Sequence, residues 1–322
     1  MKAIQINEVG GPDVLHLVDT PVPVPPPGQV LVKVTAAGVN FVDMYYREGR
    51  YKAELPLVLG QEFAGIVERI GPGVGGFSTG DRVASASGVG AYAEYALAPA
   101  ATLVAAPDGL PLETAAAALL QGMTSHYLVF STSTLEPGNT VLVHAAAGGT
   151  GQLLVQMAKF AGATVIATVS TEEKARVARA AGADHVILYA QEDFEVATRT
   201  LTEGKGVDVV YDSVGRTTFD RSLRCLRPRG LMVLFGASSG AVPPLDLLQL
   251  SAHGSLYVTR PTLKDYVASR KELEQRAGEV FDWIVDGRLR VASPRVYPLS
   301  EAAQAQADLA ARVTSGKLLL LP

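Results

Sequence analysis

The first hundred residues place apolar positions in short runs rich in β-branched side chains. KAIQI, HLVDT, VLVKVTAAGV, AGIVERI, DRVASAS and AYAEYALA each read as strands. GGPD, PVPVPPPGQ, GPGVGGFSTGD and PDGLP lie between them and supply the turns. The pattern predicts a compact all-β unit. After PDGLP the period changes. ETAAAALLQGMTSHYLVFST reads as a helix by spacing and propensity.

From Asn139 onward, apolar runs and helical segments alternate. TVLVHA, TVIATV, HVILY, VDVVYDSV and LMVLFGA read as strands. QLLVQMAKFAG, EEKARVARAAG, DFEVATRTLTEG and TFDRSLRCLRPRG read as the helices between them, each closed by a glycine. Such alternation predicts a parallel sheet covered on both faces. The last stretch breaks it: SLYVTR, a helix around KELEQRAGEVFDWIVDG, the strand RVYP, the helix EAAQAQADLAAR and the strand KLLLLP. The expectation is a wound middle domain flanked by two parts of another.

The strand TVLVHA and the helix QLLVQMAKF enclose Ala146-Ala147-Gly148-Gly149-Thr150-Gly151, which is G-x-G-x-x-G with Ala at its first position. In that setting Gly148 lets the backbone approach a pyrophosphate, and Gly151 lets the helix pack on the strand. The helix N-terminus then offers unpaired N–H groups to the phosphates. The bland alternative is a tight turn without a ligand. The end of the next strand decides which cofactor is expected. NAD sites usually carry an acidic side chain there. This chain has Ser170 and Thr171, then Lys174. Hydroxyls and an ammonium suit a 2′-phosphate, so NADP(H) is expected. Glu172 and Glu173 are expected to face solvent on the first helical turn.

Composition narrows the function further. The 322 residues are 48% hydrophobic and 19% charged, with a net charge of −4. That is an ordinary globular composition, and it argues against a general nucleic-acid binder. No apolar run is long enough to span a bilayer, and the start MKAIQINEVGGPDV lacks the apolar core of a signal peptide. A cytoplasmic protein without membrane or nucleic-acid partners is expected. The single cysteine, Cys225, cannot form an intrachain disulfide, and is expected to be a buried helical position.

GGPDVL, AAGVNFVDMYYREGRY, GQEFAGIVERIGPGVGGFSTGDRV, HAAAGGTGQ, YDSVG and LRPRGLMVLFGASSG together resemble the zinc-independent quinone oxidoreductases of the medium-chain dehydrogenase/reductase superfamily. The resemblance covers nearly the whole chain. It implies a GroES-like β-barrel catalytic domain, residues 1–120 and 259–322, and a doubly wound parallel-sheet Rossmann domain, residues 121–258. It also implies a homodimer joined at a sheet edge, near LMVLF and SLYVTR. Zinc dehydrogenases of the superfamily place Cys and His-Glu where this chain has Gly38-Val39-Asn40 and Gly60-Gln61-Glu62. Glu62 alone does not make a catalytic zinc site, which wants three protein ligands.

Carried over by position, the resemblance implies that Asn40, Phe41 and Tyr45 line the nicotinamide side, and that Thr124 and Tyr127 meet the cofactor. Gly148, Gly149, Thr150 and Gly151 would hold the pyrophosphate. Ser170, Thr171, Lys174 and Tyr189 would surround the 2′-phosphate, and Arg312 from the tail would reach the 2′-phosphate or the adenine side. Ser213, Phe235, Gly236 and Ala237 would flank the ribose and nicotinamide. Three positions depart from the family's habit: Gln121 for Lys, Ala237 for Asn and Thr150 for Val.

The implied reaction is hydride transfer from NADPH to a quinone or other electrophilic acceptor. Negative charge then develops on the acceptor oxygen, which needs donors. Asn40, Tyr45 and Tyr51 are the candidate donors, with Arg260 bordering the acceptor. Asp43 is expected to be a structural hydrogen bonder, Asp81-Arg82 a turn anchor and Asp212 a turn stabiliser. Two other functions stay open. One is reduction of activated C=C bonds in enals, enones or enoyl thioesters, with Arg47, Arg50 and Lys52 available to an acyl-CoA. The other is an NADP(H)-binding sensor with little turnover.

Overall fold

The computed structural model describes residues 1–322. The chain divides into two compact units, Met1–Gln121 with Val267–Pro322, and Gly122–Tyr266. The N-terminal part of the first unit holds strands β1 (Lys2–Ile6), β2 (His16–Asp19) and β3 (Gln29–Val39), then helix α1 (Phe41–Arg47). Strands β4 (Leu57–Val58), β5 (Glu62–Ile70), β6 (Arg82–Ser85), β7 (Tyr95–Pro99) and β8 (Val104–Ala105) follow. Strand β3 is the spine of the barrel. It pairs antiparallel with β5 along most of its length and with β7 through Gln29–Lys33. Val30, Val32 and Val34 of β3 join Phe63, Val67 and Val83 in one core, as β-branched residues on a pleated, buried surface should.

Helix α2 (Leu112–Tyr127) forms because alanine dominates its buried face, with Ala115 to Leu119 out of water. The second unit then alternates strictly: β9 (Thr140–His144), α3 (Gly149–Phe160), β10 (Thr164–Val169), α4 (Glu172–Ala180), β11 (His185–Leu188), α5 (Phe194–Leu201), β12 (Val207–Asp212), α6 (Phe219–Cys225) and β13 (Leu226–Leu234). Helix α7 (Leu248–Ala252), strand β14 (Tyr257–Thr259) and helix α8 (Leu263–Tyr266) complete it. The sheet runs β11-β10-β9-β12-β13-β14, every pair parallel. Strand β9 has β10 on one side and β12 on the other, so the winding reverses there. Ligands of open α/β sheets bind beyond the strand ends at such a reversal.

Three expectations are corrected. LRPRG does not end a helix: α6 stops at Cys225 and β13 starts at Leu226. Pro228 forbids helical continuation and pushes Arg227 toward extended backbone. Second, LMVLF is not an edge. It lies in β13 between β12 and β14, and of the two segments only SLYVTR, which holds β14, forms a border of the sheet. Third, the second unit runs on past residue 258, because β14 pairs with β13 and Tyr266 stacks on Tyr127.

The chain returns to the first unit through α9 (Arg270–Val285), β15 (Arg295–Pro298), α10 (Ala302–Ala311) and β16 (Leu318–Leu321). A capping box starts α9, with Ser269 and Glu272 exchanging hydrogen bonds. Strand β16 pairs antiparallel with β3, setting Leu318 opposite Val39. Leu318, Leu319 and Leu320 are all buried, each contributing roughly 2 kcal/mol.

Candidate functional site

The glycine loop occupies the reversal point. After β9 the backbone turns through Ala145, which is exposed and left-handed at φ 52°, and the N–H of Gly148 donates to the Ala145 carbonyl at 2.9 Å. Thus the left-handed residue is Ala145, one before the position matched to the first glycine of the motif. Gly148 is the N-cap of α3 and has no side chain to satisfy the first turn, so the N–H groups at the start of α3 stay available to an anion. Gly151 is required by close approach: a Cβ there would lie 2.8 Å from the Ala146 Cα. The Gln152 amide donates to the Ala147 carbonyl at 2.9 Å, and the Ser125 hydroxyl to the Thr150 carbonyl at 3.1 Å.

Beneath the loop, His144 ends β9 fully enclosed. Its Nδ1 lies 2.8 Å from the Thr168 hydroxyl and its Nε2 2.9 Å from the Ser222 hydroxyl. Burial holds its pKa below the usual imidazole range, against the opposing pull of Asp212. A neutral ring that bridges β10 and α6 stiffens the loop's base. Sequence reasoning missed this role, because the partners sit 24 and 78 residues away.

At the end of β10, Ser170 and Lys174 are half-buried and Thr171 is exposed. Thr171 is the N-cap of α4, accepting from the Lys174 N–H at 3.3 Å. Glu172 is exposed and turns to Arg179, 2.7 Å away, as expected of a solvent-facing carboxylate. Tyr189 follows β11, 46% exposed. Ser170, Thr171 and Lys174 thus gather with an aromatic face one strand from the glycine loop. On the other side, Asp212 ends β12 and accepts from the N–H groups of Val214 and Gly215 and from the Thr218 hydroxyl. This turn leaves Ser213 half-buried, beside Phe235, Gly236 and Ala237 beyond β13. Thr124 lies on α2. Tyr127 departs from its expected cofactor contact: its ring is buried and stacked on Tyr266, with centroids 4.2 Å apart and planes 9° apart. Arg312 is exposed at the left-handed C-cap of α10, in the first unit.

The first unit places Asn40 at the N-cap of α1. The Asn40 N–H donates to Asp43 Oδ2 at 2.8 Å, closing a capping box. The Asn40 amide donates to Glu62 Oε2 at 2.9 Å and to the Gly38 carbonyl at 3.3 Å, and Asn40 Oδ1 accepts from Lys317 Nζ at 2.6 Å. This corrects the expectation that Asn40 donates to an acceptor: its amide is committed inward. The Tyr92 hydroxyl donates to Asp43 Oδ2 at 2.9 Å. Burial pushes the Asp43 carboxyl up to about 7, against the hydrogen bonds from Asn40 and Tyr92 and the charge of Lys317.

Downstream on α1, Phe41 and Tyr45 are half-buried. The Tyr51 ring meets Tyr45 and Tyr46 edge-on, each at 5.5 Å, and is 44% exposed. Arg50 lies over Tyr45 at 5.2 Å. Arg47 is not an open cation for an acyl-CoA, contrary to expectation. It is buried and donates to Gln306 Oε1, the Gly10 carbonyl and Glu48. Arg50 and Lys52 are exposed. In the second unit Arg260 is exposed and donates to the Leu234 carbonyl at 3.2 Å, at the end of β13. Cys225 is a buried core residue with its thiol pushed up to about 12 by burial. Asp81 accepts from the Ser78 N–H at 2.8 Å, and Arg82 donates to the Leu110 carbonyl, so both anchor a barrel turn.

Comparison with known proteins fits this arrangement. The family described as alcohol dehydrogenase GroES-like domain matches residues 26–108, and that described as zinc-binding dehydrogenase matches residues 149–279. Together they define a medium-chain dehydrogenase/reductase. A quinone oxidoreductase of Pseudomonas aeruginosa is 47% identical over 323 residues, covering 100% of this chain and 99% of that one. A 2-haloacrylate reductase of a Burkholderia species is 44% identical over 330 residues, with the same coverage. The structure of Escherichia coli quinone oxidoreductase complexed with NADPH superposes with a TM-score of 0.98, with 43% identity and full coverage of both chains. The chain belongs to the zinc-independent quinone oxidoreductases of this superfamily.

The zinc of the broader family does not fit the residues present. Both Glu62 oxygens are occupied, Oε2 by Lys317 and Asn40 and Oε1 by the Leu120 N–H at 2.7 Å. No group of three or more His, Cys, Asp or Glu side chains is arranged to hold a metal ion. No helix is long and apolar enough to cross a membrane.

Proposed function

We propose that this chain transfers hydride from NADPH to quinones. The observation that carries the reading is the Gly148–Gly151 loop, an uncapped helix N-terminus at the reversal point of a parallel sheet. Bound there, NADPH supplies a hydride from its nicotinamide. The α3 N–H groups hold the pyrophosphate, Gly148 lets the backbone approach it, and the Gly151 contact packs α3 onto the loop that precedes it. Ser170, Thr171 and Lys174 take the 2′-phosphate, with Tyr189 against the adenosine. Ser213 and the Phe235–Ala237 turn flank the ribose and nicotinamide, with Thr124 beside them.

On the acceptor side Tyr45 and Tyr51 donate to the oxygen that gains charge. Such donors matter most where water is excluded. Asn40 acts indirectly, by capping α1. Solvent completes the protonation. A homodimer joined along β14 extends this reading, since that border strand exposes Tyr257 and Val258. A cytoplasmic location fits the lone, buried Cys225.

Reduction of activated C=C bonds is the second reading, favoured by the Burkholderia relative named a 2-haloacrylate reductase. The test is oxidation of NADPH and, separately, NADH by the purified protein, with ortho- and para-quinones, 2-chloroacrylate, an alkenal and an enoyl-CoA. NADPH-dependent turnover of quinones supports the first reading. Turnover of the alkenes alone transfers the assignment to the second. Tight NADPH binding with no turnover of any acceptor overturns both and leaves a sensor.

A further inference from the structure

Lys317 enters the first unit from the start of β16, where it is only 2% exposed. Its backbone is held in the sheet, the carbonyl accepting from the Arg295 N–H at 2.9 Å. Its ammonium reaches two oxygens, Glu62 Oε2 at 2.5 Å and Asn40 Oδ1 at 2.6 Å. Space for this chain depends on Gly38. A Cβ there would stand 2.8 Å from Glu62 Cδ and 2.9 Å from Lys317 Cε.

An ammonium only donates hydrogen bonds, and an ionised carboxylate only accepts them. Asn40 lies between the two, so its amide has one satisfactory orientation: Oδ1 toward Lys317, Nδ2 toward Glu62. Reversing it would set an NH2 against the ammonium and a carbonyl against the carboxylate. Asn40 is also the N-cap of α1. Seven residues are too few for a helix to stand alone, so the start of α1 depends on its cap. Tyr45 and Tyr46 ride on that helix.

We propose that Lys317 is a positioning residue for the acceptor side. It orients Asn40 and neutralises Glu62, and through the cap it holds α1 and Tyr45 in place. The proposal rests on the quinone-reductase reading of α1. It does not make Lys317 a group that touches substrate.

The test uses the full-length protein with NADPH and a para-quinone, and compares Lys317→Met, Lys317→Arg and the double variant Lys317→Met/Glu62→Gln. Hydrogen exchange at the α1 amides is followed beside the kinetics. Lys317→Met should lower kcat about tenfold and leave the KM for NADPH within about twofold. The α1 amides should exchange faster. Lys317→Arg should recover part of both losses. In the double variant no charge is left unpaired, so stability should return, but kcat should stay low because Asn40 Oδ1 still lacks its donor. Should Lys317→Met not fold, the double variant carries the same test. Wild-type kcat and α1 exchange in Lys317→Met overturn the proposal. So does a double variant with both restored, which would reduce the ammonium to a counter-ion. A wild-type protein inactive toward quinones overturns the functional reading, and α1 exchange then decides the positioning role by itself.

Discussion

The β9–α3 loop and the start of α1 are built from opposite materials. The loop is backbone: glycines, a left-handed alanine and the N–H groups of a helix end. The start of α1 is side chains: Asn40, Asp43, Glu62, Tyr92 and Lys317 form one buried hydrogen-bonded group, and further along the helix Arg47 is buried against Gln306 of α10. Removing a partner from the second kind leaves an uncompensated polar atom in low dielectric. A backbone cradle has no such partner to lose. It fails when something is added to it.

The largest effect should therefore come from deletion on the α1 side. Arg47→Ala strands Gln306 Oε1 in the interior, removes the donor to the half-buried Gly10 carbonyl and deletes a buried side chain, and is expected to cost about 4 kcal/mol. That corresponds to a Tm lower by about 6 °C, measured by scanning calorimetry. NADPH affinity, measured by titration calorimetry below the transition, should stay within about twofold if the two regions are independent. A parallel loss of affinity would break the comparison.

Asp43 gives the next effect, read through pH. Its carboxyl is raised from 3.8 to about 7 by burial, with Asn40, Tyr92, Lys317 and Glu62 the polar and charged groups around it. An acid raised in the folded state binds its proton more tightly there than in the unfolded chain. Its contribution is complete below pH 3.8, is lost as pH rises toward 7, and changes no further above that. The loss is on the order of 4 kcal/mol. Asp43→Asn removes the titration while keeping an oxygen for Asn40 and Tyr92. The difference in Tm between wild type and variant should therefore shift in the variant's favour from pH 4 to 7 and then level. A difference that is flat with pH would place Asp43 among groups that ionise normally.

The same contrast explains what the sequence made legible. The glycine loop and the hydroxyl-lysine cluster at Ser170, Thr171 and Lys174 are local. Strand, turn and helix are consecutive, so spacing alone predicts their geometry. Parallel sheet order follows from alternation and the right-handed crossover rule. The α1 group is different. Lys317 meets Asn40 across 277 residues, and Arg47 meets Gln306 across 259. Nothing in YYREGRYK marks Arg47 as buried beside an exposed Arg50. Asn40 was legible as a position by its match to a zinc ligand, but its amide faces inward because of a lysine no local pattern predicts. Where Tyr127 was expected to meet cofactor, Tyr266, 139 residues on, covers its ring. The LRPRG error was local, and Pro228 was the signal available to correct it.

On the backbone side the informative change adds an atom. Gly151→Ala puts a Cβ against the Ala145–Ala146 backbone, which cannot yield as a flexible side chain does. The loop must open, and NADPH affinity should fall about a hundredfold, near 2.7 kcal/mol. Hydrogen exchange at the α1 amides should be unchanged. If Gly151→Ala binds NADPH as the wild type does, the loop is a turn and not a cradle.

The smallest effect tests a side chain on the backbone-built side. Lys174 is half-buried one turn into α4, whose cap, Thr171, lies at the end of β10. NADPH and NADH differ only by the 2′-phosphate. A group that meets that phosphate must discriminate between them, and one that merely packs α4 must not. Lys174→Ala removes a charge-assisted hydrogen bond, so NADPH should bind about tenfold more weakly, near 1.4 kcal/mol. NADH affinity should hold within about twofold, and the gap between the two should narrow further with added salt in the wild type than in the variant. Titration of both nucleotides at two ionic strengths measures this directly. Equal losses for both would mean that the lysine supports the helix, and would move recognition of the 2′-phosphate to Ser170 and Thr171.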